Sequence, residues 1–126
     1  MYSNKTGVTY PKDQEEMIDT FSEQVSNSVR WEEIIRNNTH VIMDFWAEWC
    51  GPCRAIAPFV EEAAQEMEGR ALIGKVNIDE NPQVTMKFGI KNIPTLIFIR
   101  NGEIADKHVG ALRKTDLMDK INAFLQ

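Results

Sequence analysis

The sequence predicts an α/β fold, a central mixed β-sheet with helices on both faces. Three observations carry this. Short β-rich runs alternate with helical patterns along most of the chain, and that alternation implies parallel strands joined by helical crossovers. Asn101-Gly102 separates two β-rich runs and is a strong two-residue hairpin signal, which forces at least one antiparallel pair. The chain has 126 residues, the usual size of one domain with a single core.

The elements follow in order. Residues 1–20 are polar, carry Gly7 and Pro11, and are expected to form a partly mobile extension. A first strand is expected near Phe21 to Val25, although its alternation is poor. Ser28 is placed to cap a short helix that buries Trp31, Ile34 and Ile35. Val41-Ile42-Met43-Asp44-Phe45-Trp46-Ala47 is a nearly continuous apolar run, as in a strand covered on both faces.

A long helical pattern comes next. Cys53, Ile56, Ala57, Val60, Ala63, Ala64 and Met67 fall on one stripe. Pro52 suits its first turn. Pro58 lies inside it and should kink it. Gly69 is a natural residue just past its end. A second inner strand is expected over Leu72 to Ile78. Asn81-Pro82 should open a short helix that Gly89 ends. Strands over Thr95 to Ile99 and Ile104 to Val109 flank the hairpin turn. A last helix buries Leu117, Ile121, Phe124 and Leu125.

Composition excludes several function classes. The charge is acidic, with 14 Lys+Arg against 19 Asp+Glu. That balance argues against nucleic acid and against an anionic membrane surface. No apolar run approaches the roughly 18 residues of a transmembrane candidate, and the N-terminus opens no signal-peptide core. A cytoplasmic location is the expectation.

The two cysteines, Cys50 and Cys53, are separated only by Gly51 and Pro52. A crosslink that closes so short a loop constrains the unfolded chain little, so chemistry explains the pair better than stapling. Cys50 ends the strand-to-helix turn, where free N–H groups and the helix dipole stabilise an anion. Its thiol should therefore ionise more readily than an ordinary one, and the thiolate is the attacking species in disulfide exchange. This chemistry needs the Cys50 sulfur within reach of solvent. Cys53 lies about one turn further along the buried stripe, able to attack that sulfur and shielded from reacting first. Gly51 lets a substrate backbone approach, and Pro52 stiffens the turn and removes a donor. Two other readings compete: a pair of ordinary buried hydrophobes, or half of a zinc site. A structural zinc site needs four ligands, and only His40 and His108 remain, without partner spacing. No metal is expected.

From Trp46-Ala47-Glu48-Trp49-Cys50-Gly51-Pro52-Cys53 the sequence closely resembles the thioredoxin family. The likeness continues through Lys75-Val76-Asn77-Ile78-Asp79, Asn81-Pro82, Gly89-Ile90, Ile93-Pro94-Thr95, Asn101-Gly102 and Val109-Gly110-Ala111-Leu112. It covers about residues 25–126 and implies the thioredoxin fold, with a domain over 21–126 following the extension.

The resemblance also implies roles. Asp44 stands alone in an apolar strand and by itself reads equally as a strand-end carboxylate facing water or as a buried one. The family implies a buried proton acceptor for Cys53. Lys75 by itself reads as a snorkelling surface lysine, and the family implies that it tunes Asp44. Sequence physics makes the bond before Pro94 trans, whereas the family implies cis, with Ile93 offering its backbone to an extended substrate segment. Trp49, Gly51, Pro52, Ile93, Pro94, Gly110 and Ala111 would form the docking surface, with Trp46 packed beneath. Core packing is the competing reading for Trp49.

Arg54, Asn92 and Arg113 stand where the family more often has Lys, Ser or Gly, and a Ser or Thr cap. Thr115 could cap a slightly later helix start instead. The implied activity is protein-disulfide reduction by a monomer that cycles between dithiol and disulfide. The implied partners are disulfide-containing targets and a flavin-containing thioredoxin reductase that supplies electrons from NADPH, with no cofactor bound on this chain. The rivals are an oxidase or isomerase on the same fold, whose relatives usually carry His where Pro52 stands, and a redox clamp or accessory binding subunit.

Overall fold

The computed structural model describes residues 2–3, 9–10 and 23–126. Strands β1 (Tyr2–Ser3) and β2 (Thr9–Tyr10) form a small antiparallel ladder. The rest of the expected extension, and its boundary at residue 20, lie outside the described residues.

Helix α1 (Glu23–Asn37) opens the main body. It replaces two sequence expectations. Residues 23–25 are helical rather than part of a strand, and the other two residues of that expected strand, 21 and 22, lie outside the described residues. Ser28 is inside the helix and so cannot cap it. The physical reason is in the local composition: Glu23 and Gln24 are good helix formers, and no alternating apolar pattern opposes a helix there.

The sheet runs in the order β4-β3-β5-β6, from β3 (His40–Trp46), β4 (Leu72–Asn77), β5 (Thr95–Arg100) and β6 (Glu103–Val109). β3 pairs parallel with β4 and antiparallel with β5, and β5 pairs antiparallel with β6. This is the mixed sheet that the alternation and the hairpin signal predict. Asn101 (φ 52°) and Gly102 (φ 82°) are both left-handed, as a type I′ turn requires, and glycine meets that requirement without a Cβ penalty. A register shift after Phe98 leaves Ala105 without a partner across the ladder, a bulge in the exposed edge strand.

Alternation along the strands divides the core in two. Val41, Met43, Phe45, Val76, Ile97 and Ile99 face α1 and α3 (Pro82–Lys87), meeting Trp31, Ile34 and Val84. Ile42, Ile73, Leu96 and Phe98 face α2 (Gly51–Glu66) and α4 (Lys114–Phe124), meeting Ile56, Val60, Leu117 and Ile121. Two helices thus cover each face. Burial of these side chains, about 1.5–3 kcal/mol each when complete, fixes α2 across the sheet and so fixes its N-terminus at the end of β3.

α2 continues through Pro58 to Glu66. Gly69 is left-handed but sits two residues past the cap Met67 rather than one. α4 begins with Arg113 in the cap position without a side-chain cap bond. Thr115 lies inside the helix and does not cap it. Arg113 instead forms an ion pair with Asp116 at 3.0 Å, which places a carboxylate in the positive first turn.

Candidate active site

β3 ends at Trp46, the chain turns through residues 47–49, and Cys50 becomes the N-cap of α2. Its backbone is extended (φ −91°, ψ 106°), and its sulfur accepts the N–H of Cys53 at 3.2 Å. A cap normally places an oxygen on that free N–H; here a sulfur takes the position. The same N–H would stabilise the Cys50 thiolate after reduction. Pro52 offers no N–H, and the first turn of α2 carries no acidic residue.

Cys50 and Cys53 are joined in a disulfide, with Cα atoms 5.3 Å apart. Cys53 is 2% exposed and Cys50 only 5%. Both are buried, so the expectation that the Cys50 sulfur lies within reach of solvent is not met in this disulfide form. The reason is geometric: the disulfide folds that sulfur back over the helix end, and it lies 3.8 Å from Ile93 O. Ala47, Trp46, Ile78 and Ile93 pack around the pair.

The surrounding rim is open. Trp49 is 65% exposed, which excludes core packing for it. Gly51, Pro52 and Ala111 are exposed, and Ile93 and Gly110 are half-buried. The Ile93–Pro94 bond is cis, and Pro94 is buried. Gly110 (φ 102°) donates its N–H to Pro94 O at 2.8 Å. That left-handed residue, readily adopted only by glycine, ties the end of β6 to the segment beside the cysteines.

Asp44 is 1% exposed, so the water-facing reading is overturned. It occupies the α2 face of β3 with Ile42, one pleat step nearer the cysteine end. Burial pushes its carboxyl up to about 7, against a smaller opposing pull from the Lys75 charge. Asp44 Oδ1 has no hydrogen-bond partner. Lys75 is its register partner on β4. The Lys75 ammonium lies 4.6 Å from the centre of the Trp46 ring and 3.8 Å from Glu61 Oε1 on α2.

Three contacts at the site are absent from the sequence reading. Trp49 Nε1 donates to Asp79 Oδ2 at 2.7 Å, Arg54 donates to Glu48 O, and Glu61 binds Lys75. Asp79 falls inside one of the matching runs, which could have flagged it. Glu61 has no comparable signal, because its partner is on another element. Among the described residues no group of three or more His, Cys, Asp or Glu side chains could hold a metal ion, and no helix is long and apolar enough to cross a membrane.

A paired-cysteine disulfide at a helix N-terminus on this fold defines a thiol-disulfide oxidoreductase. The chain belongs to the thioredoxin family, whose model matches residues 21–123. Thioredoxin 1 of Nostoc sp. is 46% identical over 81% of this chain and 95% of its own length. The chloroplastic M-type thioredoxin of Pisum sativum is 45% identical over 81% of this chain and 60% of its own. The solved Plasmodium falciparum thioredoxin is 39% identical, with a TM-score of 0.70 over 75% of this chain and 91% of its own.

Proposed function

We propose that the protein is a protein-disulfide reductase in which Cys50 is the nucleophile and Cys53 the resolving thiol. The observation that carries this reading is the Cys50 sulfur at the N-cap of α2, receiving the Cys53 N–H. The Cys50 thiolate attacks one sulfur of a target disulfide. The target S–S bond breaks, a mixed disulfide forms, and the second target sulfur leaves as a thiolate that takes up a proton.

Cys53 then gives its proton to Asp44. The Cys53 thiolate attacks the Cys50 sulfur, the mixed disulfide breaks, and the remaining target sulfur departs. Two electrons have passed to the target, and this chain holds the Cys50–Cys53 disulfide. A carboxyl titrating near neutral pH suits the proton-acceptor role, and Lys75 adjusts it through its charge.

Trp49, Gly51, Pro52, Ile93, Pro94, Gly110 and Ala111 form the docking surface, with the Ile93 backbone pairing with an extended target segment. The target must draw the buried Cys50 sulfur from beside Ile93 O as it docks. Re-reduction comes from a flavin-containing thioredoxin reductase that uses NADPH, and no cofactor resides on this chain. Pro52 between the cysteines favours reduction over oxidation or isomerisation.

The test is insulin-disulfide reduction with dithiothreitol as electron source. Wild type turns over, and Cys50→Ser does not. Equal rates in the two remove the catalytic assignment.

A further inference from the structure

Lys75 is a half-buried cation of the site, with a side chain 12% exposed. It shares a sheet face and a register position with Asp44, yet among the described residues its ion pair is with Glu61, while Asp44 Oδ1 stays without a hydrogen-bond partner. Glu61 projects from α2 two turns beyond Cys53 and is 60% exposed.

We propose that Glu61 is a positioning residue for thiol-disulfide exchange: it holds the Lys75 ammonium on the α2 side, over the Trp46 ring, and so limits how far that charge serves Asp44. This rests on the reading of Asp44 as the proton acceptor for Cys53. Two carboxylates compete for one cation. The exposed one keeps part of its hydration while it pairs with Lys75, whereas the buried one loses hydration when it ionises. The arrangement leaves Asp44 able to take and release a proton near neutral pH. A tight Lys75–Asp44 pair would hold it ionised and make it a poor base.

Few other charges bear on this group. Among the described side chains, β3 contributes Asp44, β4 contributes Lys75, and α2 contributes Glu61 and the disulfide-bonded Cys53. The β5 neighbour of Asp44 is the apolar Leu96. Glu62 and Glu66 are engaged by Lys114 from α4.

Both consequences of neutralising Glu61 act in one direction. Lys75 is freed to approach Asp44, and one negative charge is removed. The experiment is an NMR titration of the Asp44 carboxyl carbon in the oxidised full chain, comparing wild type, Glu61→Gln, Lys75→Met and the double variant. Glu61→Gln should lower the Asp44 midpoint by roughly half a pH unit or more, a modest shift because Glu61 is largely exposed. In the Lys75→Met background the same change should produce less than half that shift. The pH profile of mixed-disulfide resolution should move down with the midpoint.

No shift or an upward shift in Glu61→Gln overturns the proposal. Equal shifts in both backgrounds overturn it too, since Glu61 would then act on Asp44 directly and not through Lys75. The proton-acceptor reading fails separately: it falls if Asp44→Asn leaves the resolution profile unchanged, whatever the titration of Asp44 shows.

Discussion

Trp49 Nε1 donates a 2.7 Å hydrogen bond to Asp79 Oδ2, fastening an exposed aromatic ring of the α2 approach to the turn that leaves β4. The turn is itself fixed: Asn77 Oδ1 accepts the Asp79 N–H, and Asn81 Nδ2 donates to Asn77 O. Asn77 and Asn81 are buried polar side chains, and these bonds satisfy them. The orientation of the docking surface is thereby tied to a polar network within the fold.

Asp79→Ala should release the Trp49 ring. The loss of about 1 kcal/mol typical of one hydrogen bond predicts a roughly fivefold rise in KM for a protein disulfide, with kcat nearly unchanged. Steady-state kinetics check this, and a change in Trp49 fluorescence, measured against a Trp49→Phe control, reports the freed ring. A fall confined to kcat would show that the contact acts on the chemistry instead.

Stability of the oxidised protein should depend on pH through Asp44. Its carboxyl is raised in the folded chain from 3.8 to about 7, so the folded state binds the proton more tightly than the unfolded one. The contribution is fully present below about pH 4 and is lost as pH rises through about 7. Above that, the folded chain carries a buried carboxylate. Asp44→Asn should therefore be more stable than wild type at pH 8 by on the order of 2–4 kcal/mol. The advantage should disappear near pH 4. Denaturant unfolding at the two pH values checks the difference.

Cys53→Ser should form the mixed disulfide with a target and fail to resolve it. The covalent complex should accumulate on non-reducing gels and disappear when dithiothreitol is added. Cys50→Ser should give no such complex, because Cys53 is the more deeply shielded sulfur. A comparable yield from Cys50→Ser would reverse the two assignments.

Arg100 closes the end of the sheet away from the cysteines. Its guanidinium donates to Phe124 O and lies 5.2 Å from the centre of the Phe124 ring, binding a free carbonyl at the end of α4. Arg100→Ala should destabilise the chain by about 1–2 kcal/mol through the lost bond and ring contact. Insulin reduction below the melting temperature should be unaffected. Thermal unfolding and the insulin assay together check both halves.

The periodic elements were legible because their signals are local. The continuous apolar run of β5, buried from Thr95 through Ile99, the stripe of α2 and the Asn101-Gly102 turn each depend on residues only a few positions apart. The start of α1 was misread because a polar helix end and a poor strand look alike when no apolar period distinguishes them. Thr115 does not cap α4 because the helix already begins at Lys114, with Arg113 in the cap position and its guanidinium paired with the Asp116 carboxylate.

Local sequence accounts for the order of the elements from β3 onward, the two-sided core and the position of a cysteine pair where a helix begins. Tertiary structure decided that Asp44 is buried, that Lys75 turns to Glu61, that Trp49 is held by Asp79, and that the Cys50 sulfur is folded against Ile93. The reason is physical. Hydrophobic period and turn chemistry act over one or two turns of chain, whereas the partner of a charge and the burial of a carboxylate depend on distances set only when α2 and the following segments pack onto the sheet.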